Sequence, residues 1–322
     1  MPETPLDLLT LDDAGFQKLY EGRIAPIFAS HEAERVAGLR TFTWRFSIAV
    51  LIAVAAAAAD VHYREDIFEA LIVGGIVAGG GFFIAYWPLS DVAAQTKLQS
   101  LNAIAKAIGC DYTENSFDAP EIARFRSLEL LPGCDRDAFE DLFQGTHDGC
   151  RYEFYDAHLE RRHRDSKGNE SWSTVFRGQL IRVAFPKKFL GVTIVRRDAG
   201  LFNVLQRWTT TLQRVGLGDS RLERAFEVYS NDQVEARYLI HPVFMERLLA
   251  LEQHFKGGKL RCAFEQGDLL IAIEGKNRFE IGSMFKTLND PSRAKGVVDD
   301  VTEIVRVVDA VLTAEISALP NT

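Results

Sequence analysis

The 322 residues include 47% hydrophobic and 25% charged side chains, enough for a sizeable folded core plus a membrane segment. A net charge of −8, a pI near 5.5 and the lack of any long Lys/Arg run exclude the electrostatic footprint of a nucleic-acid binder. Four cysteines, Cys110, Cys134, Cys150 and Cys262, stand singly, which argues against a metal site and for buried thiols in a reducing compartment, with a disulfide as the competing reading.

The N-terminus is acidic and its first apolar run starts beyond residue 40, which is wrong for a cleaved signal peptide, so that run is expected to stay in the mature protein. Before it, residues 12–39 place Phe16, Leu19, Tyr20, Ile24, Ile27 and Phe28 at helical spacing and predict an amphipathic helix. Residues 41–87 then read as two hydrophobic segments around a short charged loop at 60–66. The second, residues 70–87, has no ionisable group except the Tyr86 phenol and is long enough to cross a bilayer. The first, residues 46–59, is Ala-rich and reaches spanning length only with 41–45 included and Arg45 snorkelling to the interface.

Arg35, Arg40 and Arg45 precede the first segment and Lys97 and Lys106 follow the second, whereas the loop holds only Arg64. The positive-inside rule then puts two spans in the inner, cytoplasmic membrane with both termini cytoplasmic. The Ala run at 55–59 and a Gly75-x-x-x-Gly79 repeat permit close helix packing, on each other or on a second copy. A buried helical pair in a soluble protein is the bland alternative. A pore or transporter is disfavoured because neither segment centre carries a charge, and the glycines lack the Gly-Lys-Ser/Thr of a phosphate loop. The spans read as an anchor.

Residues 90–109 predict a helix capped by Ser90 and stopped by Gly109, a short strand is expected at 110–112, and Asp118 begins another helix with Pro120 near its first turn. Residues 135–143 read as a short helix. Period-two patterning then gives strands at 152–159, 171–185 and 189–196, joined by a loose connection at 161–170 and a turn at 186–188, as a simple antiparallel meander. Residues 201–215 read as irregular or helical and 225–229 as a strand. Asp232 caps a short helix, Pro242 opens another that Gly257-Gly258 closes, strands 259–264 and 269–274 form a hairpin across Gln266-Gly267, and 297–319 is a long amphipathic helix. The expected class is α+β: an N-terminal amphipathic helix (1–41), a transmembrane helical hairpin (42–88), a helical connector (89–135) and a cytosolic domain (136–322) with a mainly antiparallel sheet flanked by helices.

Four stretches, Asp141-Leu142-Phe143-Gln144-Gly145, Phe176-Arg177-Gly178, the run from Phe226 to Tyr238, and Pro242 through Arg247, resemble a bacterial family catalogued as domain of unknown function 3137. The resemblance covers most of residues 10–315. It implies a membrane-anchored bacterial protein of unassigned activity and supplies no catalytic residues.

The residues themselves specify no reaction, cofactor or metal. His158 and His163 are wrongly spaced for a shared ion, and His147 with Cys150 is a weak nucleophile pair. Asp232, Glu235, Arg237, Glu246 and Arg247 form the densest charge group beside aromatic residues, a candidate polar ligand site; the structural alternative makes Asp232 a helix cap and the rest ion pairs. The expected function is a binding or scaffold module holding a protein or small ligand at the cytoplasmic face of the bilayer. The alternatives are a membrane-surface enzyme of hydrolase type, drawing on Asp232, Glu235 and His241, or an accessory subunit assembled through the Gly-rich span.

Overall fold

The structure, a computed structural model, describes residues 7–64, 67–185, 188–197, 212–218, 220–256, 258–279 and 285–318. The chain divides into two compact units, one of residues 13–104 and 280–295, the other of residues 1–12, 105–279 and 296–322.

In the first unit, α1 (Asp13–Leu19) passes through one π-helical turn, Tyr20–Ile24, into α2 (Ala25–Arg64). The extra residue of a π turn rotates the apolar stripe, and Phe16, Leu19, Tyr20, Ile24 and Phe28 are all buried while Ile27 stays partly exposed. The second long helix, α3 (Ile67–Ala107), returns antiparallel to α2. Pro88 and Ser90 lie inside it, so the predicted cap at Ser90 is corrected: its hydroxyl donates to the Trp87 carbonyl one turn back and the helix continues. Gly109, at φ +79°, ends the run as the sequence indicates.

The hairpin closes where side chains are small. A Cβ on Gly81 would overlap that of Ala49, and one on Gly74 would lie 3.2 Å from Ala57, whereas Gly75 and Gly79 face nothing within 4 Å in this chain. Towards the chain-terminal end of the pair, Phe42, Ala85 and Leu89 form a small core, with Phe46 and Phe82 rings in edge contact. The rest of the apolar surface points outward: Trp44, Leu51, Val54, Leu71, Ile76, Phe83 and Ile84 are each more than 60% exposed. Both helices are long and apolar enough to cross a membrane.

The second unit is built on an antiparallel sheet. Its strands are β1 (Asp111–Thr113), β2 (Arg136–His147), β3 (Cys150–Arg164), β4 (Glu170–Ala184), β5 (Thr193–Arg197), β6 (Gln213–Arg214), β7 (Phe226–Ser230), β8 (Gly258–Glu265) and β9 (Asp268–Glu274). Among the described residues they lie in the order β1-β2-β3-β4-β9-β8-β5-β7-β6. The expected meander therefore holds for β3 and β4 only, because the β8–β9 hairpin inserts between β4 and β5.

Residues 135–143 are corrected from helix to strand. A bulge between Glu140 and Phe143, with Asp141 at φ +58°, adds a residue, so Phe139 and Leu142 reach the same sheet face at a spacing of three that imitates a helix. Tyr112 donates to Asp141 at 2.6 Å and holds the bulge. The loose connection at 161–170 is also corrected: the strands stay paired to Arg164 and Glu170, and Asp165 closes the turn by accepting from the Lys167 and Asn169 amides. Residues 186–187 of the predicted turn, 201–211 of the irregular segment, loop residues 65–66 and the helix-stop Gly257 lie outside the described residues.

One sheet face packs Leu142, Tyr155, Leu159, Phe176, Leu180 and Leu270 under α4 (Ile122–Ser127) and the turn after it. The other carries Phe143 stacked on Phe154, and Phe264 in contact with Phe244 of α7 (Pro242–His254). A short helix α5 (Ser220–Ala225) leads into β7, α6 (Gln233–Leu239) follows it, and α8 (Pro291–Ala318) is the long C-terminal helix the sequence predicts. Asp300 of α8, 1% exposed, accepts from Arg278 at 2.6 Å and lies 2.6 Å from His254 at the end of α7.

Candidate functional site

The five charged residues singled out by sequence fall on α6, α7 and the residue before them, and they divide into two groups. Asp232 is the N-cap of α6, accepting from the amides of Val234 at 3.0 Å and Glu235 at 2.9 Å. Glu235, in the first turn, turns both carboxylate oxygens to the backbone before β5 and accepts from Leu190 and Gly191, each at 2.8 Å. Both carboxylates thus hold backbone, Asp232 through Oδ1 and Glu235 through both oxygens.

Arg237, Glu246 and Arg247 instead stand exposed on the outer sides of α6 and α7. On α6 and beside it are apolar side chains that the fold does not cover: Val234 and Tyr238, one helical turn apart, are 65% and 59% exposed, and Leu190, whose amide donates to Glu235, is 87% exposed. Sequence reasoning marked the charges of this face and Tyr238 beside them but missed Val234 and Leu190, because helical spacing alone does not say which of two apolar stripes on α6 is turned inward; Ala236 and Leu239 take that place.

His241, offered as a catalytic partner of Asp232 and Glu235, caps α7: its Nδ1 accepts from the Phe244 amide at 3.4 Å and its Nε2 lies 3.2 Å from the Ala310 carbonyl. That pairing puts the proton on Nε2, and burial holds the imidazole pKa below its ordinary value. The three groups do not converge on a shared point.

The cysteines are free thiols, with Cys110, Cys150 and Cys262 buried and Cys134 half-buried. Cys150 closes the β2–β3 hairpin opposite His147, with no exposed surface for a nucleophile. Burial pushes the Cys110 thiol up to about 11 and the Cys262 thiol higher still, so neither supplies thiolate near neutrality. His158 and His163 hydrogen-bond to Thr174 and Ser173 of β4 at 2.9 and 2.7 Å and share no site.

Among the other polar places in the described residues are a small cavity and a side-chain cluster. A cavity of about 60 Å³ on the sheet is lined by Glu140, Asp156, His158, Arg177 and Asn277, with Gln179 donating to Asp156 and to the Lys276 carbonyl at 2.9 Å each. Among the described residues, one group of three has the geometry to hold a metal ion: one donor atom each from His147, Asp148 and Asp309, all within 4.8 Å of one another.

Residues 174–312 match a family model described as Protein of unknown function (DUF3137). This stretch is a DUF3137 domain. The match begins within β4 and runs through α6, α7 and the β8–β9 hairpin into α8, so it contains the exposed α6–α7 face. It stops short of the breadth expected from sequence, since the helical hairpin and the Asp141–Gly145 stretch lie outside the DUF3137 match. No curated protein matches the chain. A crystal structure of the mycobacterial trehalose monomycolate transport factor A is similar at 12% identity and a TM-score of 0.34, covering 64% of this chain and 93% of that one, too distant a likeness to transfer a role to the DUF3137 domain.

Proposed function

We propose that the protein is a membrane-anchored binding module that holds a protein partner on the α6–α7 face at the cytoplasmic side of the bilayer. The observation that carries the reading is a pairing of surfaces. The helical hairpin turns its apolar residues outward, with only 17% of the most apolar stretch of its first helix and 6% of that of its second buried within the chain. The domain joined to it exposes Leu190, Val234 and Tyr238 among Arg237, Glu246 and Arg247, a mixture of apolar anchors and charges typical of a docking surface. The side of the membrane follows from charge. Arg35, Arg40 and Arg45 precede the apolar stretch of α2, and Lys97 and Lys106 follow that of α3, which favours a cytoplasmic position for both helix ends.

Crosslinking in intact membranes followed by recovery of the full-length protein tests the reading. Val234→Asp together with Tyr238→Asp is expected to abolish recovery of the partner while leaving membrane retention and thermal stability at wild-type values, because both side chains are more than half exposed. Recovery of the same partner by the double variant, or of none by the wild type, defeats it.

A further inference from the structure

We propose that His147, Asp148 and Asp309 bind a first-row divalent cation of the zinc type, linking the β2–β3 turn to helix α8. His147 is the last residue of β2 and Asp148 follows it in the turn, while Asp309 lies on α8, so the ligand set unites two places remote in sequence. The donors are one imidazole nitrogen and two carboxylates, a mixed set that suits zinc, manganese or ferrous iron better than the all-oxygen shells of calcium or magnesium. The two carboxylates balance the charge of a divalent ion.

The donor atoms are close enough to converge on one ion. His147 Nε2 lies 3.8 Å from Asp148 Oδ2. A tetrahedral ion about 2.0–2.2 Å from each donor sets neighbouring donors about 3.3–3.6 Å apart. All three donor atoms lie within 4.8 Å of one another, so side-chain movement of about an ångström brings them onto the ion.

A second observation points the same way. The Nε2 atom of His147 is buried yet makes no hydrogen bond among the described residues. A buried imidazole nitrogen without a partner is costly, and a metal ion in front of it removes that cost. Three protein ligands leave at least one position for water or an anionic group, so the site accepts an exogenous ligand as well as joining the turn to the helix.

The test uses the full-length protein in detergent, stripped with chelator and titrated calorimetrically with ZnCl2, with CoCl2 as a spectroscopic stand-in. The expected result is saturable binding of one zinc per chain, ligand-field bands with cobalt, and a raised melting temperature. His147→Gln, Asp148→Asn and Asp309→Asn should each weaken binding by about tenfold or more, and His158→Gln should bind as wild type. Asp148 is 73% exposed at its side chain, so its variant keeps the fold even if the other two disturb packing. Absence of saturable zinc binding by the wild type, or unchanged affinity in the Asp148→Asn protein, overturns the proposal.

Discussion

At the residue scale the chain spends its charges on holding backbone. Asp232 caps a helix, Glu235 clamps a loop, and Glu252, 4% exposed, takes Arg197 through both carboxylate oxygens. Glu32 does the same in the hairpin unit, accepting from the Leu288 amide at 2.9 Å and from Arg35. The Arg35 hydrogen bond, with help from Leu288 and Thr287, holds the Glu32 carboxyl at about 2 against a usual 4.5. A carboxyl depressed in the fold contributes stability that is fully present above pH 4.5 and lost as pH falls from there towards 2. Amide exchange at Leu288 is therefore expected to rise as pH drops through that window, after correction for intrinsic exchange. Glu32→Gln should show the fast exchange at neutral pH with no further acid step. An acid step of unchanged size in the variant refutes the assignment.

At the element scale, what could be read from sequence was whatever is local. The Gln266-Gly267 turn, both residues at positive φ, gives the β8–β9 hairpin, and Asp232 and Pro242 give the starts of α6 and α7. Hidden were features set by distant partners: the Asp141 bulge that disguises β2 as a helix, and the insertion of β8–β9 beside β4, which no periodicity records. The candidate site divides the same way. The charges on α6 and α7 were visible, but whether each is committed to backbone depends on Leu190, Gly191 and Ala310, all far along the chain. The helix hairpin offers a measurable case, because the Gly75-x-x-x-Gly79 repeat is not where α2 and α3 touch. Gly81→Leu should lower the melting temperature of the detergent-solubilised protein, since its side chain meets Ala49. Gly79→Leu should leave the melting temperature unchanged. If Gly79→Leu nevertheless breaks up a crosslinkable oligomer, the open glycine face is a contact between copies; if both variants melt alike, the packing described for α2 and α3 is wrong.

At the scale of the whole molecule, α2 and α3 are 40 and 41 residues long, about 60 Å each at 1.5 Å per residue, twice the roughly 30 Å of the hydrocarbon core. If the pair crosses as proposed, about half of each helix stands outside the bilayer. The side on which it stands decides whether the α6–α7 face meets cytoplasmic partners. Three thiol reporters separate the arrangements: native Cys134, which is half-buried but the least enclosed of the four; a cysteine replacing Glu34, whose side chain is 62% exposed; and one replacing Tyr63, 83% exposed near the helix turn. With a membrane-impermeant maleimide on sealed vesicles of known orientation, a two-span hairpin labels positions 34 and 134 from the cytoplasmic face and position 63 from the opposite one. A single crossing by α3 alone would group 34 with 63 against 134. Labelling of all three from either face would mean that neither helix crosses, and the anchor would be lost along with the topology. The first pattern is expected, because Arg40 and Arg45 precede the apolar part of α2 just as Lys97 and Lys106 follow that of α3.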